Sequence, residues 1–521
     1  MKTFVKENKT KVLLFLIIVF QIMLVCLTFS KKEGYFIDEV LSFSLANREG
    51  TGYYDPPVHM WLDKDWYLRN MTAQEGATFD FSIAYHNQEQ DVSPPLYYMM
   101  LHGVCSLFPG QLSSWMGLGL NLFFYAGNII LLYFLGKKIL HDEKAGLLIA
   151  ALFGITYGAV NIAMFLRMYM MATFMLLFHL SVYIHYFERE KIPVRGYLLF
   201  TISAVLGSLT QYYFLVGAAF LGVWYSLKFL YRKKYVELIK YYLSAGISAV
   251  IAIGCFPAMP RHILKSGRGA ASFESLSSGD NYLFQIKEMF HILNEEMFGK
   301  MLLILVAIIL IGVVAMLLKK KAIPSFDKRY WIPVIVVSVG YFMVITKVAP
   351  YQTDRYIMPV FPLSYFLVVG AFYTISKHIL NEKSSLLACM LIFGSLAVIQ
   401  LTTQPFDYLY EGYQKSNVAE QYTDEYCMVI SDDTGYWHYD LQALIQYKSF
   451  YWLKDMDNME LLENIAEKLE SENSFVLYGR NTWNQEEIFS YINENFGEEW
   501  TFSLQEDCNN ERFLIYHCQR E

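Results

Sequence analysis

The sequence predicts a polytopic all-α membrane protein with a small α/β domain at its C-terminal end. Of its 521 residues, 55% are hydrophobic and only 17% are charged, whereas soluble domains carry about 25% charged residues. The charge is also uneven: residues 405–521 hold 24 Asp and Glu against 7 Lys and Arg, whereas residues 1–404 carry a net charge of +10. We therefore expect a membrane domain over 1–404 and a water-soluble domain over 405–521.

Apolar blocks long enough to cross a bilayer, which takes about 20 residues, recur along the first 404 residues. The first block, from Val12 to Ser30, follows four lysines and has no small-residue cleavage site, so we expect an uncleaved transmembrane helix. Ten more blocks fall near residues 112–136, 145–165, 170–187, 197–211, 213–230, 241–259, 301–318, 331–346, 357–376 and 384–403. The pattern predicts about eleven transmembrane helices.

Basic residues cluster in alternate connections between these blocks. Lys and Arg concentrate at residues 137–144, 189–195, 232–240, 319–329 and 377–383. The positive-inside rule therefore places the N-terminus and all five clusters in the cytoplasm. An odd number of spans then places the first loop, residues 31–110, and the acidic C-terminal domain outside. We expect a multi-pass protein of the plasma membrane.

The first loop is long, because most connections between elements contain 2 to 6 residues. Asp38 and Glu39 lie eight residues beyond the first helix, and the segment Asp91-Val92-Ser93-Pro94-Pro95-Leu96-Tyr97-Tyr98 closes the loop. Residues 96–108 are apolar but too short to span, so they predict an interfacial helix with Pro at its first turn. A long loop of this kind usually carries function.

Polar residues at the ends of the apolar blocks fall on the outer side in this topology. They are Arg167-Met168-Tyr169, Gln211-Tyr212-Tyr213, Arg261-His262 and Asp354-Arg355-Tyr356. With Asp38, Glu39 and Asp91 they predict a cavity at the external membrane surface that contains acids and several cations. Such a cavity suits a reaction between a hydroxyl, which needs a base, and a lipid-linked phosphate, which needs positive charge.

The ordered set of motifs resembles the GT-C glycosyltransferases, in particular glycosyltransferase family 39 with its protein O-mannosyltransferases and lipid A aminoarabinose transferases. The motifs are Asp38-Glu39 after the first helix, D-x-x-P-P-L-Y-Y from Asp91, R-x-Y from Arg167 and D-R-Y-x-x-P from Asp354. The resemblance covers about residues 10–375. It implies a GT-C-like fold and the transfer of a sugar, with inversion, from a polyprenyl-phosphate donor to an acceptor at the outer membrane face.

The resemblance also implies roles for individual residues. Asp38 would be the base, with Glu39 beside it. The predicted cavity, and not the resemblance, assigns donor-phosphate binding to Arg355, Arg167 and Arg261, and substrate binding to Asp91, Tyr97, Tyr169, Gln211 and Tyr356. Each has a simpler interpretation: acids are common in outer loops, Asp favours turns, arginines at helix ends reach toward headgroups, and Tyr anchors membrane interfaces.

The chain departs from the family pattern at two positions. Ser93 stands directly before the double proline where many relatives have a basic residue, and Gln211 stands where many have His. Some members of the family use a divalent cation, which Asp38, Glu39 and Asp91 could hold, although no spacing demands one. We expect no metal site and leave a divalent cation open.

The C-terminal domain alternates predicted strands and helices, which favours a small, partly parallel sheet. The strands are predicted at Cys427–Ser431, Ser474–Tyr478, Thr501–Leu504 and Arg512–His517, and the helices at Asn458–Glu470 and Asn484–Glu494. The domain has no Gly-rich phosphate loop, so its role stays between acceptor recognition and a stabilising lid. Cys427, Cys508 and Cys518 permit one disulfide, with the pairing open.

The residues of this chain also bear on other classes of protein. Nucleic acid is not expected as a partner, because the basic residues lie in short clusters and the soluble domain is acidic. A transporter or lipid flippase would put ionisable residues at mid-membrane or on both sides. A polysaccharide polymerase or ligase would also handle lipid-linked sugars but would not need the Asp38-Glu39 pair. The sugar, the acceptor (protein, lipid or envelope glycan) and the oligomeric state stay open.

The predicted orientation can be checked with reporter fusions. Alkaline phosphatase, which is active only outside the cytoplasm, should be active when fused after Gly110 and inactive when fused after Leu140 or Lys234. The reason is that basic clusters hold the latter two connections in the cytoplasm. The opposite activity pattern would contradict the assigned orientation.

Overall fold

The computed structural model of the protein describes residues 2–50, 52, 57–277, 281–320, 324, 326–410, 418–432, 437–454, 465–496, 500–507 and 512–520. These residues form two compact units. The first, called here the membrane unit, comprises residues 1–30, 88–101 and 115–405. The second, called the sheet unit, comprises residues 31–87, 102–114 and 406–521.

Helices make up most of the chain. In chain order they are α1 (Lys2–Phe29), α2 (Ile37–Asn47), α3 (Lys64–Met71), α4 (Phe81–Gln90), α5 (Leu96–Cys105), α6 (Ser114–Leu140), α7 (Glu143–Gly154), α8 (Tyr157–Met164), α9 (Tyr169–Tyr186), α10 (Val194–Thr210), α11 (Phe214–Tyr231), α12 (Tyr235–Cys255), α13 (Met259–Leu264), α14 (Gly267–Ser277), α15 (Tyr282–Phe298), α16 (Leu302–Leu318), α17 (Lys328–Val348), α18 (Asp354–Ile357), α19 (Phe361–Ile379), α20 (Glu382–Thr403), α21 (Trp437–Leu444) and α22 (Gln485–Asn495). The strands are β1 (Trp61–Leu62), β2 (Tyr426–Ile430), β3 (Ser449–Leu453), β4 (Ser474–Arg480), β5 (Trp500–Asp507) and β6 (Phe513–Arg520).

Several helices are long and apolar enough to cross a membrane. Within the described residues, seven spans meet that test on their own: α1, α6, α11, α12, α17, α18 joined to α19, and α20. Two bent pairs, α7 with α8 and α15 with α16, raise the number to nine. The chain is therefore a multi-pass membrane protein.

The predicted number of about eleven spans exceeds this range by two helices. Every predicted block corresponds to a helix, but α10 has only 17 residues, which is short of the length that crosses a bilayer comfortably. The other, α9, has 18 residues and includes His179 and His185 among its apolar side chains. Both helices are present in the structure. Their short length and polar side chains explain why the number of spans is lower than the predicted eleven.

The described residues of the sheet unit form a sheet of six strands in the order β1-β3-β2-β4-β6-β5. Strand β2 pairs in parallel with β3 and β4, and the remaining pairs are antiparallel. Because side chains alternate along a strand, Cys427 and Phe450 pack into a core on one face while Met428 and Tyr451 pack into a core on the other. The partly parallel sheet that the sequence predicts is confirmed.

The predicted strands and the second predicted helix of the C-terminal domain correspond to β2, β4, β5, β6 and α22. Strand β3 and helix α21 were not predicted. Of the predicted helix Asn458–Glu470, residues 465–469 are helical and residues 458–464 lie outside the described part of the chain. Cys427 and Cys518 are buried free thiols, and Cys508 lies outside the described residues, so the question of a disulfide stays open.

Most of the first loop, residues 31–87 and 102–110, belongs to the sheet unit. Strand β1 extends the sheet, with Trp61 opposite Tyr451 and Leu62 opposite Phe450. Val40 of α2 and Tyr67 of α3 pack into the same core as β2 and β3. This pairing was not predicted, because β1 has only two residues and its partner strand lies nearly 400 residues further along the chain.

Candidate functional site

Within the sheet unit, Asp38 and Glu39 lie in the first turn of α2. Glu39 is fully buried, and its Oε2 lies 2.8 Å from the Lys32 ammonium nitrogen, which is itself buried. The same oxygen accepts a hydrogen bond of 2.8 Å from the backbone N–H of Phe36, which closes the helix start as in a capping box. Glu39 therefore fixes the turn in which Asp38 lies.

Asp38 is half-buried and adjoins Glu39 at the N-terminus of α2. Its backbone carbonyl accepts a hydrogen bond of 2.9 Å from the Ser42 hydroxyl. The partial positive charge of a helix N-terminus stabilises a carboxylate at this position. The local structure thus places a carboxyl side chain on a well-fixed turn, and a general base needs such fixed positioning.

In the membrane unit, Arg167 lies in the break between α8 and α9. The break exposes backbone carbonyls that need partners, since unpaired groups are costly in apolar surroundings. Asn121 of α6 supplies them: its Nδ2 donates to the carbonyl oxygens of Ala163, at 3.0 Å, and Phe165, at 2.6 Å. Asn121 is fully buried and is a positioning residue for the segment that carries Arg167.

Arg167 is 7% exposed and interacts electrostatically with Asp91, Tyr97, Tyr98 and Tyr169. These five residues are called here the Arg167 cluster. Tyr97 and Tyr98 are fully buried in α5, which begins directly after Pro95 as the sequence predicts. The structure therefore brings together four of the predicted site residues, Asp91, Tyr97, Arg167 and Tyr169.

Tyr169 interacts electrostatically with Tyr356 and Tyr213. It therefore links the Arg167 cluster to two more residues of the predicted outer motifs. The rings of Tyr213 and Tyr356 meet edge to face with centroids 5.8 Å apart. The Arg355 guanidinium lies 5.2 Å from the ring centroid of Tyr356. Arg355 is in the first turn of α18, which leads into the span of α19. The Asp354 carboxylate accepts a hydrogen bond of 2.7 Å from the Arg355 backbone N–H, so the guanidinium is the group there that can attract a further anion.

The remaining predicted residues of the membrane unit have local hydrogen-bond partners. Gln211 is buried, and its Oε1 accepts a hydrogen bond from the Tyr213 backbone N–H. Arg261 donates to the Glu89 backbone carbonyl. Its neighbour His262 lies 2.9 Å from the Tyr212 hydroxyl through Nδ1, and burial lowers the pKa of His262 below its ordinary value.

Sequence reasoning missed several members of this site. Tyr98 joins the Arg167 cluster, and exposed Arg268 of α14 interacts electrostatically with both Tyr98 and Tyr213. Arg268 follows α13, a helix of only six residues, and does not lie at the end of a predicted apolar block. The sequence pattern therefore did not single it out. Asn121 did carry a signal, because it is one of two asparagines inside an apolar block.

The described residues do not assemble a donor set for a metal ion. Within them, no group of three or more His, Cys, Asp or Glu side chains could hold one. Of the three acids considered from the sequence, Glu39 is committed to Lys32 and to a backbone N–H. No step proposed below is assigned to a metal ion.

Comparison with known proteins yields structural similarity only. No protein-family model and no curated protein matches the chain. Among solved structures, the chain is similar to apo ArnT from Cupriavidus metallidurans, with a TM-score of 0.43 and 11% identity over 92% of this chain and 96% of that one. It is also similar to the Archaeoglobus fulgidus oligosaccharyltransferase in complex with Zn and sulfate, with a TM-score of 0.43 and 12% identity over 90% of this chain and 71% of that one.

A further similar structure is the oligosaccharyltransferase AglB from Archaeoglobus fulgidus in complex with an inhibitory peptide and a dolichol-phosphate. The TM-score is 0.45, and the identity is 11% over 91% of this chain and 70% of that one. The function proposed below rests on the residues of the present chain.

The role of Glu39 can be checked through its ion pair. Replacing Lys32 with Met should lower the stability of the sheet unit by about 3–5 kcal/mol, because it leaves the buried Glu39 carboxylate without its counter-charge. The double variant Lys32→Met with Glu39→Leu should recover most of that loss. Thermal unfolding of the purified variants measures both values. A single variant as stable as wild type would contradict the buried ion pair.

Proposed function

We propose that this chain is an inverting glycosyltransferase that moves a hexosyl or pentosyl group from a polyprenyl-phosphate donor to an acceptor hydroxyl at the outer face of the plasma membrane. The observation that carries the proposal is the Arg167 cluster. A buried guanidinium that interacts electrostatically with Asp91 and with three tyrosines, in a unit of apolar helices, has the chemistry to hold the phosphate of a lipid.

The cationic side chains suit a leaving phosphate. A guanidinium can hold two phosphate oxygens at once, and Arg167 is enclosed, where the lower dielectric strengthens its attraction for an anion. Arg355 adds a second guanidinium, beside Tyr356. Charge that develops on the phosphate as the sugar departs would be stabilised by these groups, which are already in place.

Asp38 is proposed as the base. The acceptor oxygen forms a bond to the anomeric carbon while the bond from that carbon to the phosphate oxygen breaks. The acceptor proton passes to the Asp38 carboxylate, and the bonding electron pair leaves with the polyprenyl phosphate. A single displacement of this kind inverts the anomeric configuration. Glu39, with its ion pair to Lys32, holds the turn and so acts as a positioning residue.

The substrate residues divide between the phosphate and the sugar. Tyr97, Tyr169 and Tyr356 offer phenol groups around the phosphate, and Asp91 offers a carboxylate that can accept hydrogen bonds from sugar hydroxyls. Gln211 and Arg261 support this region through their backbone partners. The polyprenyl chain would lie against the apolar helices of the membrane unit, with membrane lipids around it.

One observation favours the alternative of a transporter or flippase. Lys228 of α11 is 7% exposed, and an ionisable residue inside a span often marks a transport pathway. Its ammonium group lies 4.8, 4.5 and 4.7 Å from the ring centroids of Phe187, Tyr225 and Phe229. It lies three residues from the end of its helix, which is also where a lysine reaches toward the interface.

The test is transfer of radiolabelled sugar from a panel of polyprenyl-phosphate donors in membranes that contain the protein. Asp38→Asn should lower turnover by about 100-fold or more, the usual contribution of a general base, whereas Asp65→Asn, an exposed aspartate of the same unit, should not. Arg355→Ala and Arg167→Ala should lower the catalytic efficiency for the donor, and Arg195→Ala should leave it unchanged. Folded wild-type protein that transfers no sugar but moves lipid-linked sugar across the bilayer would replace this proposal with the flippase.

A further inference from the structure

A cavity lies in the sheet unit, at the edge of the sheet formed by β1. Its volume is about 540 Å³, within the range of about 300–1,000 Å³ that is usual for ligand pockets. The residues around it include Trp61, Tyr426, Tyr451, Glu467 and Lys468. None of them takes part in the site described above.

The sheet register assembles the aromatic wall of this cavity. Trp61 pairs with Tyr451 across β1 and β3, and Tyr451 pairs with Met428 of β2, two residues beyond Tyr426. Alternation along the strands therefore puts all three aromatic side chains on one face. The Trp61 ring centroid lies 5.1 Å from that of Tyr426 and 5.4 Å from that of Tyr451.

Charged groups border the aromatic wall. The Lys468 ammonium nitrogen lies 5.9 Å from the Trp61 ring centroid and 5.6 Å from that of Tyr426. Glu472 also lines the cavity and lies 3.1 Å from Lys448, and Glu467 is exposed. The cavity thus combines flat apolar surfaces with carboxylate acceptors and an ammonium donor.

Tyr451 adds a buried polar group to the wall of the cavity. It is fully buried, and its hydroxyl has no hydrogen-bond partner within the described part of the chain. A buried hydroxyl without a partner is destabilising. A ligand that brings hydroxyl groups into the cavity can satisfy it.

We propose that this cavity binds carbohydrate. A pyranose ring has an apolar face of C–H groups, which packs on an aromatic ring, and a rim of hydroxyls, which bond to carboxylates and ammonium groups. An anionic ligand fits less well, because two glutamates line the cavity. The further assignment of the cavity as an acceptor-glycan subsite rests on the proposed function, whereas carbohydrate binding itself does not.

The test uses the full chain, purified in detergent, and three radiolabelled tetrasaccharides: chitotetraose, mannotetraose and maltotetraose. Equilibrium dialysis measures binding without any donor, so a failure here is separate from a failure of sugar transfer. We expect at least one tetrasaccharide to bind. Trp61→Ala should weaken that binding at least about tenfold, which corresponds to about 1.4 kcal/mol.

Two variants separate binding from folding. Trp66→Ala removes a tryptophan of similar exposure that packs against the opposite face of the sheet, and it should leave binding unchanged. Tyr451→Phe removes only the hydroxyl without a partner, so it should weaken binding several-fold without lowering the unfolding temperature. Equal loss of binding in Trp61→Ala and Trp66→Ala would overturn the proposal. Wild-type protein that binds none of the tetrasaccharides would also overturn it. The same holds if the wild-type protein binds only an unglycosylated Ser/Thr-rich peptide.

Discussion

The cost of burying a guanidinium among apolar helices governs the structure of the membrane unit. A charge in such surroundings persists only with polar groups around it, and Arg167 has the phenols of Tyr97, Tyr98 and Tyr169 and the carboxylate of Asp91. One segment supplies Asp91, Tyr97 and Tyr98, and a second one, far from it in sequence, supplies Arg167 and Tyr169. The pairing of Asn121 with the end of α8 fixes the segment from which Arg167 projects.

The sheet unit follows a different rule. Its sheet is covered on both faces by apolar side chains, as expected where parallel strands occur. The first loop completes one of these cores and adds an edge strand. A loop of this length is stable because its apolar residues are buried, and the turn with Asp38 and Glu39 is thereby held by tertiary packing as well as by the Lys32 ion pair.

Much of this architecture could be predicted from the sequence. Apolar length gave a helix for every block, and strand alternation gave β2, β4, β5 and β6, because both signals are local. The pairing of β1 with β3 could not be predicted, since a two-residue strand carries no periodicity. The shared placement of Asp91, Arg167 and Tyr169 followed from putting their block ends on one side of the membrane. Arg268 and the cavity at Trp61 depend on contacts between distant segments, which no local pattern reports.

The central claim is that the Arg167 cluster holds a lipid-linked phosphate. Binding of a radiolabelled polyprenyl monophosphate to the purified full chain tests it without a sugar or an acceptor. The account predicts that Arg167→Ala weakens binding at least about tenfold, a loss of about 1.4 kcal/mol, that Arg167→Lys restores part of the affinity, and that Arg195→Ala has no effect. Unchanged binding in a folded Arg167→Ala variant would contradict the account.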